Sequence, residues 1–342
     1  MHIAPQRLQE ILTTIFIAAG ADVGAEQIAE SLVENNLVGH DCHGAMRVEM
    51  YTKMMDAGRI DPRGQITAVR ESATTALIDG GLNFGILVAR QAMDMAMAKA
   101  QEHDLGMVVA RNCGHTGRMG EYVVRAAQEG FIGIVMGSGS ARGGTMAPFG
   151  GIDRAFNTNP ISWGVPAKEH PPLFFDFATS AVAYGKIQVA QDKRIAVPEG
   201  WILNAEGQPT TDPDDLGKGG VLLPFGGHKG SALALMVELL SNGLTIATCS
   251  PLTSYEPDFT MMLMAIRIEA FQPLEQFCCM VDETIDAIKA GRKAPGVEEI
   301  LVPGEPEWRI REQRLRDGID LPEGTWQRIV ASGARYGVTV KA

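Results

Sequence analysis

Residues 131–151 read FIGIVMGSGSARGGTMAPFGG, a strand-like apolar run that passes straight into a glycine-rich stretch. A Rossmann dinucleotide loop opens this way, but it needs G-x-G-x-x-G followed by a helix whose first turn receives the pyrophosphate. Here Gly137, Gly139 and Gly143 are spaced one residue too widely. Pro148, Gly150 and Gly151 stand where that helix should begin, and no second strand ending in an acidic residue follows. The standard fingerprint is therefore excluded. Two readings stay open: a wide loop with unusual backbone angles, or a loop whose amides face a ligand.

Outward from this stretch the chain changes texture twice. Before residue 65 it is helical: Leu8, Ile11, Leu12, Ile15 and Phe16 share one period, Ile28, Leu32, Val33 and Leu37 another, and a third helix is predicted from about Met46 to Gly58. The middle alternates. Strands are predicted at Thr74–Asp79, Met107–Arg111, Phe131–Met136, Ile161–Val165, Leu173–Phe177 and Met261–Ile268, with helices at Phe84–Gln101, Gly120–Gln128 and Lys229–Leu244. The tail returns to helix at Leu274–Ala290, Glu307–Arg316 and Gly324–Tyr336. This order predicts an α/β class protein of the α+β kind with a mixed sheet. Residues 1–65 and 272–342 are expected to form one helical domain, and residues 66–271 a mixed α/β domain.

The net charge of −11 carries no clustered Lys/Arg footprint, which argues against nucleic acid as a partner. A small anionic substrate would need a local arginine against that field. The cysteines Cys42, Cys113, Cys249, Cys278 and Cys279 show no metal-type spacing and fit free thiols in a reducing, cytoplasmic setting. The N-terminal apolar period is helical and interrupted by Gln9 and Glu10, unlike a signal peptide, and no run of about eighteen apolar residues predicts a membrane span.

Four segments concentrate chemistry. In HDCHGAMRVEMY (40–51), a helix starting near Gly44 would put Arg47 and Tyr51 on one face with His43 at its mouth. A guanidinium fork there could fix a carboxylate, and the imidazole could serve the reacting oxygen. The plain alternative is a solvated helix start capped by Asp41. In RNCGHTGRMGEY (111–122), His115 lies in a small-residue loop between strand and helix, where α/β enzymes collect catalytic groups; a backbone-bonding turn histidine is the alternative. In FFDFATSAVAYGK (174–186), Asp176 ends a strand and Thr179 and Ser180 are possible helix caps, an arrangement that helix chemistry alone explains. In LPFGGHKG (223–230), His228 and Lys229 open an apolar helix whose N-terminus could take a phosphate or a carboxamide, or simply sit in solvent. PGEPE (303–307) reads as a loop entering a helix.

As an ordered set, HDCHG with Arg47, NCGHTGRMG, APFGG, FNTNP, DFATSAVAYGK, PEGW, PTTDP, LPFGGHKG and LVPGEPE resemble the malate/L-lactate dehydrogenase family over nearly the whole chain. That family is typified by L-sulfolactate, ureidoglycolate and 2,3-diketo-L-gulonate oxidoreductases and by Δ1-piperideine-2-carboxylate reductase. The resemblance implies a non-Rossmann NAD- or NADP-binding fold, with a helical part built from both chain ends, and a homodimer. It implies that His115 is the acid/base, that His43 is a second catalytic or cofactor-contacting histidine, and that Arg47 holds the substrate carboxylate. It further implies cofactor contacts at Gly117, Arg118 and Met119, at Asp176, Phe177, Ala178, Thr179 and Ser180, at His228 with the adjoining Lys229, and at Gly304, Glu305, Pro306 and Glu307. Asp176 is also a candidate to orient a histidine.

The chain departs from the family pattern at Cys42, where serine is usual and a hydroxyl would be the better donor. It departs again at Asn157, where glycine is common, and in a short Thr245–Asp258 segment. The expected reaction is hydride transfer between nicotinamide and a small 2-hydroxy or 2-oxo acid, with reduction of a cyclic imino acid as the alternative. A metal hydrolase using His43, His115, His228 and Asp176 lacks any HxH or HExxH spacing. A non-catalytic ligand-binding homologue is the remaining rival.

Overall fold

The structure is a computed structural model and describes residues 1–139, 144–252 and 259–341. Gly143 of the glycine-rich stretch and the end of the Thr245–Asp258 segment lie outside the described residues. In chain order the elements are β1 (His2–Ile3), α1 (Pro5–Ala18), α2 (Ala25–Leu37), α3 (Val48–Asp56), β2 (Thr67–Glu71), β3 (Thr75–Asp79), α4 (Gly85–His103), β4 (Leu105–Cys113), α5 (Gly120–Gln128) and β5 (Phe131–Ser138). Then follow β6 (Ile161–Val165), β7 (Leu173–Phe177), α6 (Tyr184–Lys193), β8 (Ile202–Leu203), β9 (Pro209–Thr210), β10 (Val221–Leu222) and α7 (His228–Glu238). The chain ends with β11 (Phe259–Arg267), α8 (Leu274–Lys289), α9 (Glu305–Asp317), β12 (Ile319–Asp320) and α10 (Glu323–Arg335).

The main sheet has the order β2-β3-β4-β11-β5-β6-β7. Only β3 and β4 run parallel, joined by the α4 crossover, and every other neighbouring pair is antiparallel. A Rossmann sheet is parallel, so the topology departs from that fold throughout. Among the described residues no helix lies between β5 and β6.

α5 is seated by two glycines. Gly133 on β5 and Gly164 on β6 are direct partners, and a Cβ on either would press within 3.0 Å of Val123. The missing side chains make a trough that draws α5 onto the sheet and fixes the loop before it, which carries His115. Val123 and Ala126 fill the trough and, with Tyr122, Val88, Met93, Ala96, Val108, Val135 and Leu263, form a buried core between the sheet and α4 and α5.

A second core lies beneath the terminal elements, where Leu8, Leu12, Ile15, Phe16, Ile28, Leu32 and Tyr51 meet Phe84, Ile319 and Ile329. Phe84 packs edge-on against Phe16 (5.8 Å) and Tyr51 (5.9 Å). Such aromatic pairs add about 0.5–1.5 kcal/mol each beyond area burial and leave the Tyr51 ring one position. A smaller core of Met146, Val182, Ile187, Ile202, Leu222 and Ala234 supports α6 and the three-stranded sheet β10-β8-β9.

Candidate active site

Tyr51 is carried by α3, but that helix begins at Val48, after two 3-10 turns (Asp41–His43 and Ala45–Arg47), rather than near Gly44. The cause is Asn36 on α2. Its Oδ1 accepts from the Ala45 amide at 2.8 Å, and its Nδ2 donates to Asp41. Asp41 is no helix cap: it accepts from Arg314 of α9 at 2.7 Å and 3.1 Å. The 40–47 loop is thus clamped between α2 and α9. Arg47 turns back along it, with Nε on the Cys42 carbonyl at 2.6 Å and Nη1 3.4 Å from Met50 Sδ.

This clamp lays His43 flat against His115, with ring centroids 5.4 Å apart and planes 6° apart. Phe259 of β11 closes the pair edge-on, 5.5 Å from the His115 ring. Tyr51 Oη lies 2.8 Å from His115 Nδ1, and the Gly117 amide donates to the same nitrogen at 3.3 Å. An amide can only donate, so Nδ1 of the neutral ring is an acceptor and its proton sits on Nε2. Burial, helped by Arg47, pushes His43 down to about 3. Burial, His43 and Arg47 together hold His115 well below the usual histidine range. Both rings are therefore neutral, and two parallel imidazoles this close would not both charge. Burial pushes the Cys42 thiol up, leaving it protonated beside this pair.

The other predicted residues fall into two groups. Asp176 joins the site: its Oδ2 accepts from the Gly120 amide at 2.7 Å, on the His115 loop, and burial raises its carboxyl against the pull of Arg118. Glu307 joins it through His40, at 3.2 Å, and that bond keeps Glu307 ionised. Gly117, Arg118 and Met119 are buried beside His115. Gly304 sits at φ +84°, where an added Cβ would fall 2.8 Å from the Phe174 ring; only glycine lets α9 approach β7 here. Phe177 and Ala178 continue β7 toward α7, with Phe177 packed edge-on against Phe225.

Thr179 and Ser180 do not cap α6. Thr179 Oγ1 donates to the Thr158 carbonyl and Ser180 Oγ to that of Val182, while Ala183 begins the helix with no side-chain cap. His228 and Lys229 are exposed on the first turn of α7, with His228 6.0 Å from Phe149. Glu305 lies away from the imidazoles: it is tied to Lys289 at 2.6 Å, to Arg309 and to the Val302 amide. There it borders, with His170, Leu173 and Trp308, a cavity of about 190 Å³. Pro306 is exposed at the start of α9.

Sequence reasoning missed Asn35, fully buried on α2, whose Nδ2 donates to the His43 carbonyl at 3.2 Å and whose Oδ1 accepts from Arg118 Nε at 3.0 Å. A polar pair inside the apolar period of α2 was the available signal. Two buried atoms here lack partners, His43 Nδ1 and Arg118 Nη1. The N-termini of α7 and α9 open on the left-handed Gly227 and Gly304 without side-chain caps. The buried, unpartnered Arg118 Nη1, whose charge is felt by Glu307 in the first turn of α9, fits a polar, anionic nucleotide.

A neutral imidazole pair next to an arginine, on a sheet without a Rossmann loop, defines a proton-handling enzyme site. The chain belongs to the malate/L-lactate dehydrogenase family, whose model matches residues 3–330, and it is an oxidoreductase. It is 35% identical to a malate dehydrogenase of Pyrococcus horikoshii, covering 99% of this chain and 96% of that one, and 34% identical to an L-sulfolactate dehydrogenase of Methanocaldococcus jannaschii, covering 100% and 99%. Among solved structures it matches a malate dehydrogenase from Entamoeba histolytica with a TM-score of 0.94 at 30% identity, covering 100% and 99% of the two chains. It also matches the Δ1-piperideine-2-carboxylate reductase of Pseudomonas syringae with a TM-score of 0.84 at 26% identity, covering 97% and 99%. Among the described residues no group of three or more His, Cys, Asp or Glu could hold a metal, and no helix is long and apolar enough to cross a membrane.

Proposed function

We propose that the protein interconverts a small 2-hydroxy acid and its 2-oxo acid with NAD or NADP, His115 moving the proton. The observation that carries this is the occupancy of His115. Tyr51 and Gly117 meet Nδ1, while no protein group among the described residues meets Nε2. That nitrogen is left for the substrate oxygen. The bound nicotinamide supplies or accepts the hydride.

Arg47 is the cation nearest the pair, and it orients the substrate by its carboxylate. The arriving anion offsets both burial and the Arg47 charge, which raises the proton affinity of His115 once substrate is bound. In oxidation the ring takes its other tautomer, with Nδ1–H on the Tyr51 oxygen, and the freed Nε2 takes the hydroxyl proton as hydride leaves carbon. In reduction the imidazolium returns it, with Nδ1–H turned onto the Tyr51 oxygen. His43 buttresses the ring face to face and offers Nδ1 to the cofactor, while Asp176 and Glu307 line the cofactor side. The likeness to Δ1-piperideine-2-carboxylate reductase supports a second reading, in which the same groups serve a cyclic imine. The five free thiols support a cytoplasmic setting.

The test is a panel of 2-hydroxy acids, 2-oxo acids and cyclic imines with both cofactors, on wild type and His115→Ala. The variant is expected to lose about 10²–10⁴-fold in turnover while still binding reduced cofactor by fluorescence titration. Full turnover by His115→Ala would sink the acid/base assignment.

A further inference from the structure

The two glycines beneath α5 set how close the helix comes to the sheet, but a floor without side chains resists neither sliding nor rotation. Something else must fix α5 about its own axis, because its first turn drags the His115 loop with it. Tyr122, fully buried in that turn, donates its hydroxyl to the Thr116 carbonyl, one residue from the histidine. Glu121, beside Tyr122, supplies the constraint. Its Oε2 accepts from Ser31 of α2, and its Oε1 accepts from Arg90 Nε of α4 at 2.7 Å. Arg90 Nη1 in turn donates to Glu30 of α2 at 2.7 Å. The Arg90 and Glu121 side chains are only 17% and 10% exposed.

A buried ion pair gives little net stability over an apolar contact of the same shape, so stability does not account for this one in a helix otherwise seated by Val123 and Ala126. Its placement does. Ser31 and Asn35 are fully buried, one turn apart on the same face of α2. Ser31 holds Glu121, while Asn35 holds Arg118 Nε at 3.0 Å and the His43 carbonyl at 3.2 Å. The loop of His43 and the loop of His115 are thus both referenced to one helix face, and Glu121 is the contact that fixes the second loop's helix to it.

We propose that Glu121 is a positioning residue for the reaction: by locking α5 to α2 and α4 it sets the face-to-face register of His115 on His43, and with it the aim of His115 Nε2 at the substrate oxygen. The proposal rests on the dehydrogenase reading of the site.

The test compares full-length wild type with Glu121→Gln and with the paired change Arg90→Met and Glu121→Leu. Each is assayed well below its thermal midpoint, with the acid of the panel that wild type turns over fastest. The paired change removes both charges together, so it is expected to keep the wild-type urea midpoint while cutting both links. Its kcat is expected to fall about ten- to a hundred-fold with KM for the acid unchanged, as for a misaimed proton carrier rather than lost binding. Glu121→Gln keeps both links in neutral form and should hold kcat within about three-fold of wild type. A paired variant that is folded and turns over at the wild-type rate overturns the proposal, and so does a Glu121→Gln variant as slow as the paired one. If the paired variant does not fold, Ser31→Ala decides, since it cuts the α2 link and leaves the ion pair: a lower kcat at unchanged KM supports the proposal, and an unchanged kcat overturns it. Proton NMR of the histidine rings gives a readout free of turnover. Stacked rings shift each other's protons upfield, and that displacement is expected to shrink in the paired variant, or in Ser31→Ala if the paired variant does not fold. A wild type that turns over no acid or imine with either cofactor would overturn the dehydrogenase reading instead, while ring shifts identical to wild type would still remove Glu121 from any positioning role.

Discussion

Both groups that meet His115 do so at Nδ1, Tyr51 Oη at 2.8 Å and the Gly117 amide at 3.3 Å. Tyr51 is fully buried, and burial pushes its hydroxyl far above the usual phenol range, so it remains protonated and able either to donate or to accept as the ring cycles. Tyr51→Phe keeps the aromatic packing and removes only that partner. We expect about 1 kcal/mol of lost stability in chemical denaturation and a ten-fold or greater fall in kcat, with KM for the acid nearly unchanged. An unchanged kcat would make Tyr51 a core residue and nothing more. At this scale the sequence was readable where a residue type and its local setting coincide. His115 stands out from its small-residue loop, whereas His43, Arg47 and Asp176 read equally well as ordinary helix-end residues and were singled out by the family resemblance. The Tyr51–His115 bond was not readable, because its partners are 64 residues apart and local spacing instead suggested Tyr51 beside Arg47. Asn35 was hidden for the same reason, and Arg118, named through the family resemblance alone, shows its local tie only once Asn35 is seen to accept from it.

Elements with a long period were predicted nearly whole. α5 has the expected bounds, and α4, α8 and α10 differ by a residue or two at their ends, where fraying and capping decide. The pairing of β1 with β12 and the strands β8, β9 and β10 were missed; at two residues each they carry no alternation and exist only through their partners. α7 shows how side chains reshape an expected helix. It was expected to run to Leu244 but widens into a π turn at Leu239–Gly243, where Ser241 bonds back to the Val237 carbonyl and Asn242 to buried Glu238. Glu238 also accepts from Ser138, Asn159 and the Ser250 amide, so this bend anchors the end of β5. On its other side α7 is bare: Leu235, Met236 and Leu239 are each nearly half exposed, Leu244 follows at 47% and Ile246 at 75%. A helix apolar on both faces is covered by something. We propose that a second copy of the chain covers it, as the homodimer expected from the family resemblance. Sedimentation should then give twice the chain mass for wild type, and Met236→Lys with Leu239→Glu should shift it to the monomer. A wild type that sediments as a monomer at micromolar concentration would remove this face from consideration.

For the molecule as a whole, keeping two imidazoles neutral ties folding to pH. His43 falls to about 3 and His115 falls in the same direction, while an unfolded histidine titrates near 6.5. A folded value below the unfolded one means the unfolded chain binds the extra proton first. The stability contributed is therefore fully present above about pH 6.5 and is lost as pH falls from there toward the folded values. Arg47, His40 and Arg118 face His43, and Arg47 and His43 face His115, so each neighbouring charge pushes the same way. Asp176 works in the opposite sense: burial raises its carboxyl, so its ionised form weakens the fold at neutral pH, and protonation relieves this only on the acid side. The carboxylates held low by ion pairs, Glu299 and Glu307 among them, enter only below about pH 4.5. Between pH 6.5 and 5 the two histidines drive the loss, each limited to about 1.4 kcal/mol per pH unit, and protonation of Asp176 opposes it. Urea unfolding at pH 7.5, 6.5 and 5.5 should therefore show falling stability for wild type and a shallower fall for His43→Gln, which cannot take up the proton. Equal slopes for the two proteins would mean that the imidazole pair is not held neutral by the fold, and the charge arrangement proposed for the site would fall with it.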